Sequence, residues 1–397
     1  MIQFFSAIVG LWIFSIPFKN ALFELSSAFL IGSTALVVIA NRLQNQVKHI
    51  PALPKSLALS FMAAAASLFI ANYFGRQMPS GYWVSAHFIV RYGGIFCCLY
   101  YLYCQGYLTS KTIFRATALA LIAQAGLGMA QLLLHFDIIR DQVVTTGTRI
   151  YGGTFNPNPF GLLMAIGASL AFARLVKFSH LELKKFLLCT ALLIFFVFCL
   201  LLSGSRSSWI AFVVFLFVIA LTTGRVFIKR IPIVISTTVG IGLAVFLFHP
   251  MTSTNIDRLF LSDSSYRFTI WQTAFKLFQE APFFGYGFGD FSGLSGLPFA
   301  SVHNSIIELL LYTGLVGLLC YGFLLANILK LLWQTSSQIL FAIFTAMLFA
   351  SLFDHSLIDS KIFLSCTVVI VAQAAIRWVQ IQATAAPTHQ QQLPNRE

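Results

Sequence analysis

Charge is scarce in this chain. Only 9% of its 397 residues are Asp, Glu, Lys or Arg, and just 12 are acidic, whereas soluble domains carry about 25% charged residues. With 58% hydrophobic residues and a mean hydropathy of +0.85, a water-soluble globular domain is excluded and an integral membrane protein is indicated. Motifs for metals and nucleophiles are missing too: there is no HExxH, no GxSxG and no acidic cluster suited to Mg²⁺. Any chemistry is therefore expected to be metal-independent, with no cofactor. The seven cysteines (Cys97, Cys98, Cys104, Cys189, Cys199, Cys320 and Cys366) fall in or beside apolar segments. They form neither a CxxC spacing nor a paired framework, so they read as packing residues. The N-terminus lacks the basic region and small-residue cleavage site of a signal peptide and reads as a first membrane helix.

The net charge of +13 would suggest nucleic acid in a soluble protein. Here the basic residues sit in short loops between apolar runs, where they set topology, and no nucleic-acid role is read from them.

A span takes roughly 20 mainly apolar residues. About twelve stretches qualify: 2–18, 21–40, 56–74, 84–103, 114–135, 158–175, 186–203, 208–224, 231–249, 303–328, 338–354 and 361–381. The expected fold is an all-α polytopic membrane protein of about 12 transmembrane helices. Nine fall in 1–249 and three in 303–381, with a long outside loop at 250–302 and a polar tail, 382–397, read as disordered and cytoplasmic. With the N-terminus inside, most basic residues collect on the inside, among them Arg42, Lys55, Lys111, Arg174, Lys184 and Lys185. Arg149, Arg206, Arg258 and Arg267 lie outside, against that bias, which makes them candidates for function.

Long loops in compact proteins tend to be functional. Within 250–302, DSSYRFTIWQTAFKLFQEAP reads as a helix, capped by Asp263 or Ser264 and closed by Pro282. Phe268, Trp271, Phe275 and Phe278 fall nearly on one face, as for a helix lying in the membrane interface.

Four stretches carry chemistry. In SGSRSSW, 203–209, Arg206 sits among serines at an outside turn, where its guanidinium either grips phosphate as a bidentate fork or snorkels to a lipid headgroup. Arg267 opens the interfacial helix against the helix dipole. A bound anion at that N-terminus would reverse the penalty; an ion pair with Asp263 is the other reading. In SVHNSIIELLLYTGLVG, 301–317, His303 and Asn304 head the tenth span, placing a group suited to general-base work at the outer interface. A lone histidine at a helix end is otherwise structural. Glu308 lies about 140° further round that helix and reads as a bundle-pairing group. GGTFNPNPFG, 152–161, reads as a turn and helix start, with sugar binding by Asn156 as the alternative. GYGFGDF, 285–291, has no preceding strand or following helix and is rejected as a dinucleotide loop.

This arrangement resembles the bacterial O-antigen ligases, within the superfamily that also holds O-antigen polymerases and protein O-oligosaccharyltransferases. The ligase pattern of His, then Asn, Ser or Gln, nine residues and Gly-x-x-Gly is met by His303, Asn304, Ser305 to Thr313, and Gly314 to Gly317. The GTFNPNPFG turn, the SRSSW turn, the YRFTIWQTAF loop and the span number extend the likeness over most of the chain. The resemblance implies a fold of the GT-C-like kind. It also implies that Arg206 and Arg267 hold the diphosphate of an undecaprenyl-diphosphate glycan, with His303 near the acceptor hydroxyl. Asn304, Asn156, Arg149 and Arg258 are candidate substrate-binding residues. The reaction implied is inverting, metal-independent transfer of the glycan to a sugar hydroxyl of lipid A–core in lipopolysaccharide biosynthesis. It would take place at the bacterial inner membrane, with the active site facing the periplasm and both termini cytoplasmic.

A polymerase remains open, because it uses a similar donor. A protein O-oligosaccharyltransferase usually carries a larger soluble C-terminal region than this chain shows. A transporter of lipid-linked glycans would predict internal repeats and broken helices with charges near the midplane; no repeat is apparent, and the mid-span charges are Glu24, Arg91 and Glu308.

Overall fold

The computed structural model describes residues 1–18, 20–75, 80–137, 139, 142–143, 149–177, 182–224, 239–240, 266–354 and 357–385. Arg258, the capping candidates Asp263 and Ser264, nearly all of the ninth expected span (231–249) and the end of the tail lie outside these residues.

Apolar runs become helices because a backbone surrounded by lipid must satisfy its own polar groups. Helices α1 (Ile2–Ser15), α2 (Asn20–Leu43) and α3 (Lys55–Phe74) are followed by a continuous rod of α4 (Ser80–His87), a π-helical turn (Phe88–Gly94) and α5 (Ile95–Cys104). Next come α6 (Ser110–Leu134), α7 (Pro157–Lys177), α8 (Leu183–Ser203) and α9 (Arg206–Thr223). Two strands, β1 (Phe136–Asp137) and β2 (Gln142–Val143), pair antiparallel after α6. The shorter helices α10 (Arg267–Glu280) and α11 (Phe291–Ser295) come next, and the chain continues with α12 (Ser305–Gln334), α13 (Gln338–Ser351) and α14 (Lys361–Ala385). Among the described residues, eight helices are long and apolar enough to cross a membrane. Helices α1 and α13 are apolar but shorter, and α14 runs to Ala385, past the start of the expected tail.

Helix α7 forms the centre, packing on α8 and α9. A Cβ on Gly161 would stand 2.8 Å from the hydroxyls of Ser203 and Ser208, and one on Gly167 would stand 2.8 Å from the Phe196 ring. Small residues there let neighbouring backbones approach, as membrane bundles require. The turn before α7 is tied to α6 by two buried glutamines. Gln131 accepts from the Gly152 amide at 2.9 Å and donates to the Gly152 carbonyl, while Gln124 accepts from the Gly153 amide at 2.8 Å.

Arg91 and Glu24 form an ion pair, with Glu24 near the start of α2 rather than in mid-span, and Arg91 also lies over the Phe23 ring. Pairing is what makes such charges tolerable in a bilayer.

Helix α12 is broken at Gly314, whose φ of 65° and ψ of −166° interrupt the helix from inside. A break leaves carbonyls on one side and amides on the other without helical partners, and the segment 282–287 supplies them. The Leu315 and Val316 amides donate to the Pro282 and Phe283 carbonyls at 2.9 and 3.1 Å; the Tyr286 and Gly287 amides donate to the Leu311 and Tyr312 carbonyls at 2.9 and 3.0 Å. A Cβ on Gly314 would meet the Phe283 carbonyl carbon at 2.3 Å. The Gly-x-x-Gly therefore admits a loop rather than a helix at Gly314, while Gly317 leaves room for the Thr313 side chain of its own helix. The GYGFGDF stretch has its role here: Gly285 and Gly287 take positive φ to reach the break, and the Phe288 amide donates to Asn72 of α3 at 2.8 Å.

Candidate active site

The site is built at one end of the bundle. Asn304 caps α12, its side-chain oxygen accepting from the Ile306 and Ile307 amides at 3.0 and 3.1 Å. Asn is among the best residues for this task, so its capping role is structural. Immediately before it, His303 takes φ of 54°, a conformation that His adopts more readily than bulky residues do. Its amide donates to the Ser301 hydroxyl at 3.2 Å.

The imidazole meets an acid that the sequence reading did not single out. Nδ1 of His303 lies 3.2 Å from Oδ1 of Asp354, with the carboxyl side chain 6% exposed and the imidazole 39% exposed. The contact has ion-pair distance without the alignment of a full hydrogen bond. Asp354 follows α13, and the Ser305 hydroxyl donating to the Ser351 carbonyl at 2.8 Å holds the start of α12 against the end of α13. With Nδ1 turned to the carboxylate, Nε2 is the ring nitrogen turned away from it. The available signal was an acid, one of only 12 in the chain, at the very end of the eleventh expected span in SLFDHS.

One contact ties the helix that Arg267 opens to the segment before His303. The indole of Trp271, one turn along α10, donates from Nε1 to the Val302 carbonyl at 3.1 Å, holding the first turn of α10 beside the segment that enters α12. The aromatic stripe divides accordingly: Phe268 and Phe275 are exposed, Trp271 and Phe278 are half-buried, and Ile270 and Ala274 are buried. Arg267 is half-buried and is the first residue of a helix with no side-chain cap.

Arg206 reaches the same level by a different route. Helices α9 and α13 pack together, and Gln338 donates to the Thr222 carbonyl at 3.4 Å. Arg206 lies 16 residues before Thr222 in α9, roughly 24 Å along the axis, and α13 rises roughly 20 Å from Gln338 to Ser351, shortly before Asp354. Arg206 is half-buried and opens α9, which also lacks a side-chain cap. Serines surround it: the Ser205 hydroxyl lies 2.8 Å from that of Ser208, which donates to the Asn158 carbonyl at 3.2 Å.

Arg149 belongs to this cluster, but its guanidinium holds the fold. It donates from Nε to the Ser203 carbonyl and from a terminal nitrogen to Oδ1 of Asn158. Asn156 is exposed, and its Oδ1 accepts from the Asn158 amide at 2.9 Å, the local turn that starts α7. Glu308 is buried at 6% exposure. Asp359, in the turn between α13 and α14, is driven towards its neutral form by burial, against the pull of Arg91.

The arrangement thus sets a His–Asp pair and two helix-opening arginines at one end of a polytopic α-helical membrane protein. Anions bind at such helix starts because the amides and the dipole favour them. Among the described residues, no three His, Cys, Asp or Glu converge on a point that would hold a metal.

Residues 191–322 match the family model described as O-antigen ligase, bearing out the resemblance over the stretch that contains Arg206, Arg267, His303 and the Gly314–Gly317 motif. Arg149, Asn156 and Asp354 fall outside it. The match supports a glycosyltransferase-like membrane enzyme of the O-antigen ligase or polymerase type. No curated protein matches the chain.

Proposed function

We propose that the protein is an O-antigen ligase, transferring a glycan from undecaprenyl diphosphate to a sugar hydroxyl of lipid A–core. The observation that carries this reading is the His303–Asp354 pair at the level of Arg206 and Arg267. The acceptor hydroxyl loses its proton to Nε2 of His303 as its oxygen bonds to the anomeric carbon of the donor. The bond from that carbon to the diphosphate breaks on the opposite face, so configuration inverts. Arg206 and Arg267 receive the charge that develops on the leaving diphosphate, each contributing roughly 3 to 4 kcal/mol to the transition state in a preorganised site. Asp354 acts through the histidine and is a positioning residue.

Neither a metal nor a cofactor has a part in this sequence of events. Asn156 and Arg258 are assigned to glycan contacts, and Arg149 and Asn304 support the two ends of the site. The distribution of basic residues supports an inner-membrane protein with both termini cytoplasmic and this site periplasmic.

The break at Gly314 is the feature that a transporter would also show. Its backbone groups are satisfied by the 282–287 segment and the Arg91 and Glu24 charges are paired, which favours the enzyme.

The test is transfer by purified protein, offered lipid A–core or a second lipid-linked glycan as acceptor. Product on lipid A–core that is lost in His303→Ala supports the ligase. Longer lipid-linked chains with no lipid A–core product would make it a polymerase.

A further inference from the structure

A second feature is a cavity whose lining runs from Lys111 and Arg377, at the other end of the bundle from this site, along α6 to Gln124. Its volume is about 930 Å³, at the upper end of ordinary small-molecule sites of about 300–1,000 Å³. Along α7 it is lined from Leu163 to Val176, and along α14 from Cys366 to Gln380, so it extends roughly 20 Å parallel to the helices at 1.5 Å per residue. One leaflet of hydrocarbon is about 15 Å deep, half of a 30 Å core.

Polarity along this slot is graded. Its inner walls are mostly apolar, with Thr117 and Gln124 as exceptions, whereas Lys111, Arg174 and Arg377 line it near the start of α6 and the later turns of α7 and α14, and no Asp or Glu is among the described residues lining it. Arg174 lies over the Phe114 ring at 5.7 Å, and Arg377 donates to the Ser337 hydroxyl at 3.4 Å, contacts that keep both guanidinium groups at the rim. Setting topology requires basic residues on this side of the membrane, but not their convergence on one cavity; Arg115, Lys184 and Lys185 serve topology without lining it.

We propose that this slot binds an anionic phospholipid from the adjacent leaflet, its acyl chain between α6, α7 and α14 and its phosphate against Lys111, Arg174 and Arg377. The proposal is independent of the transfer reaction. A basic residue near an anionic headgroup contributes on the order of fivefold in affinity, so three give about a hundredfold.

Native mass spectrometry of the purified full chain, with dioleoylphosphatidylglycerol and dioleoylphosphatidylethanolamine added in competition, tests this. The protein should retain phosphatidylglycerol preferentially. The preference should vanish in Lys111→Gln/Arg174→Gln/Arg377→Gln and persist in the control Arg115→Gln/Lys184→Gln/Lys185→Gln. Equal retention of the two lipids by the unmodified protein overturns the proposal without recourse to any variant, as does an equal loss of preference in the rim and control variants. Displacement of phosphatidylglycerol by millimolar inorganic phosphate would reduce the site to an anion cluster that makes no use of the cavity, and would also overturn it.

Discussion

Replacing Asp354 with Asn keeps the shape of the side chain and removes its charge. The acid lies 3.2 Å from His303, almost wholly shielded, while the imidazole keeps a solvent-facing side. In a fully enclosed Ser-His-Asp triad the equivalent change costs about 10⁴ in kcat, because the wrong tautomer is held. At this site water can take part of the carboxylate's role, and partly exposed ion pairs are weakened by screening. The expected loss is therefore about a hundredfold, equivalent to roughly 2.7 kcal/mol of barrier. The assay is single-turnover transfer by purified protein from an undecaprenyl-diphosphate glycan to lipid A–core, with donor binding measured separately and expected to be unchanged. Because Asp354 acts through His303, adding Asp354→Asn to His303→Ala should cost nothing more. Transfer within about threefold of native by Asp354→Asn, or a further loss of about a hundredfold on the His303→Ala background, would refute the assignment.

Other outcomes follow from the same geometry. Arg206→Ala and Arg267→Ala should each lower transfer by about 10² to 10³ while the protein still inserts and purifies as a single species; near-native transfer by either removes that residue from the diphosphate site. Trp271→Phe deletes the donor to the Val302 carbonyl; it should lower the melting temperature little, since such a bond contributes about 1 kcal/mol, yet reduce transfer by displacing Arg267, and unchanged transfer would break the proposed link between α10 and His303. Gly314→Ala places a Cβ 2.3 Å from the Phe283 carbonyl carbon at a positive φ, so a strongly destabilised protein by fluorescence-detected size exclusion is expected, and a native melting curve would contradict the reading of the α12 break. Transfer should be insensitive to EDTA, and a chelator-induced loss restored by Mg²⁺ would overturn the metal-independent mechanism.

Composition and hydropathy settled the membrane class, because an apolar run of about 20 residues has few stable environments other than a bilayer. The positions of Arg206, Arg267 and His303 were legible for a related reason: polar groups beside apolar spans are costly, so they stand out. Asn304 as a helix cap and Asn156 as a turn former were also readable, since both roles depend on neighbours only two or three residues away. The partnership of His303 with Asp354 was not, because 51 residues separate them, counted as 354 − 303, and only the packing of α12 on α13 brings them together. The break in α12 was hidden for the same reason: a glycine in an apolar run is tolerated in an unbroken helix, and the positive φ of Gly314 follows from the 282–287 segment arriving to satisfy the exposed backbone. Which residues are polar and apolar is local information. Which acid faces the histidine, and that Arg149 bonds to Ser203 and Asn158, depends on close packing between distant segments and was decided only by the tertiary structure.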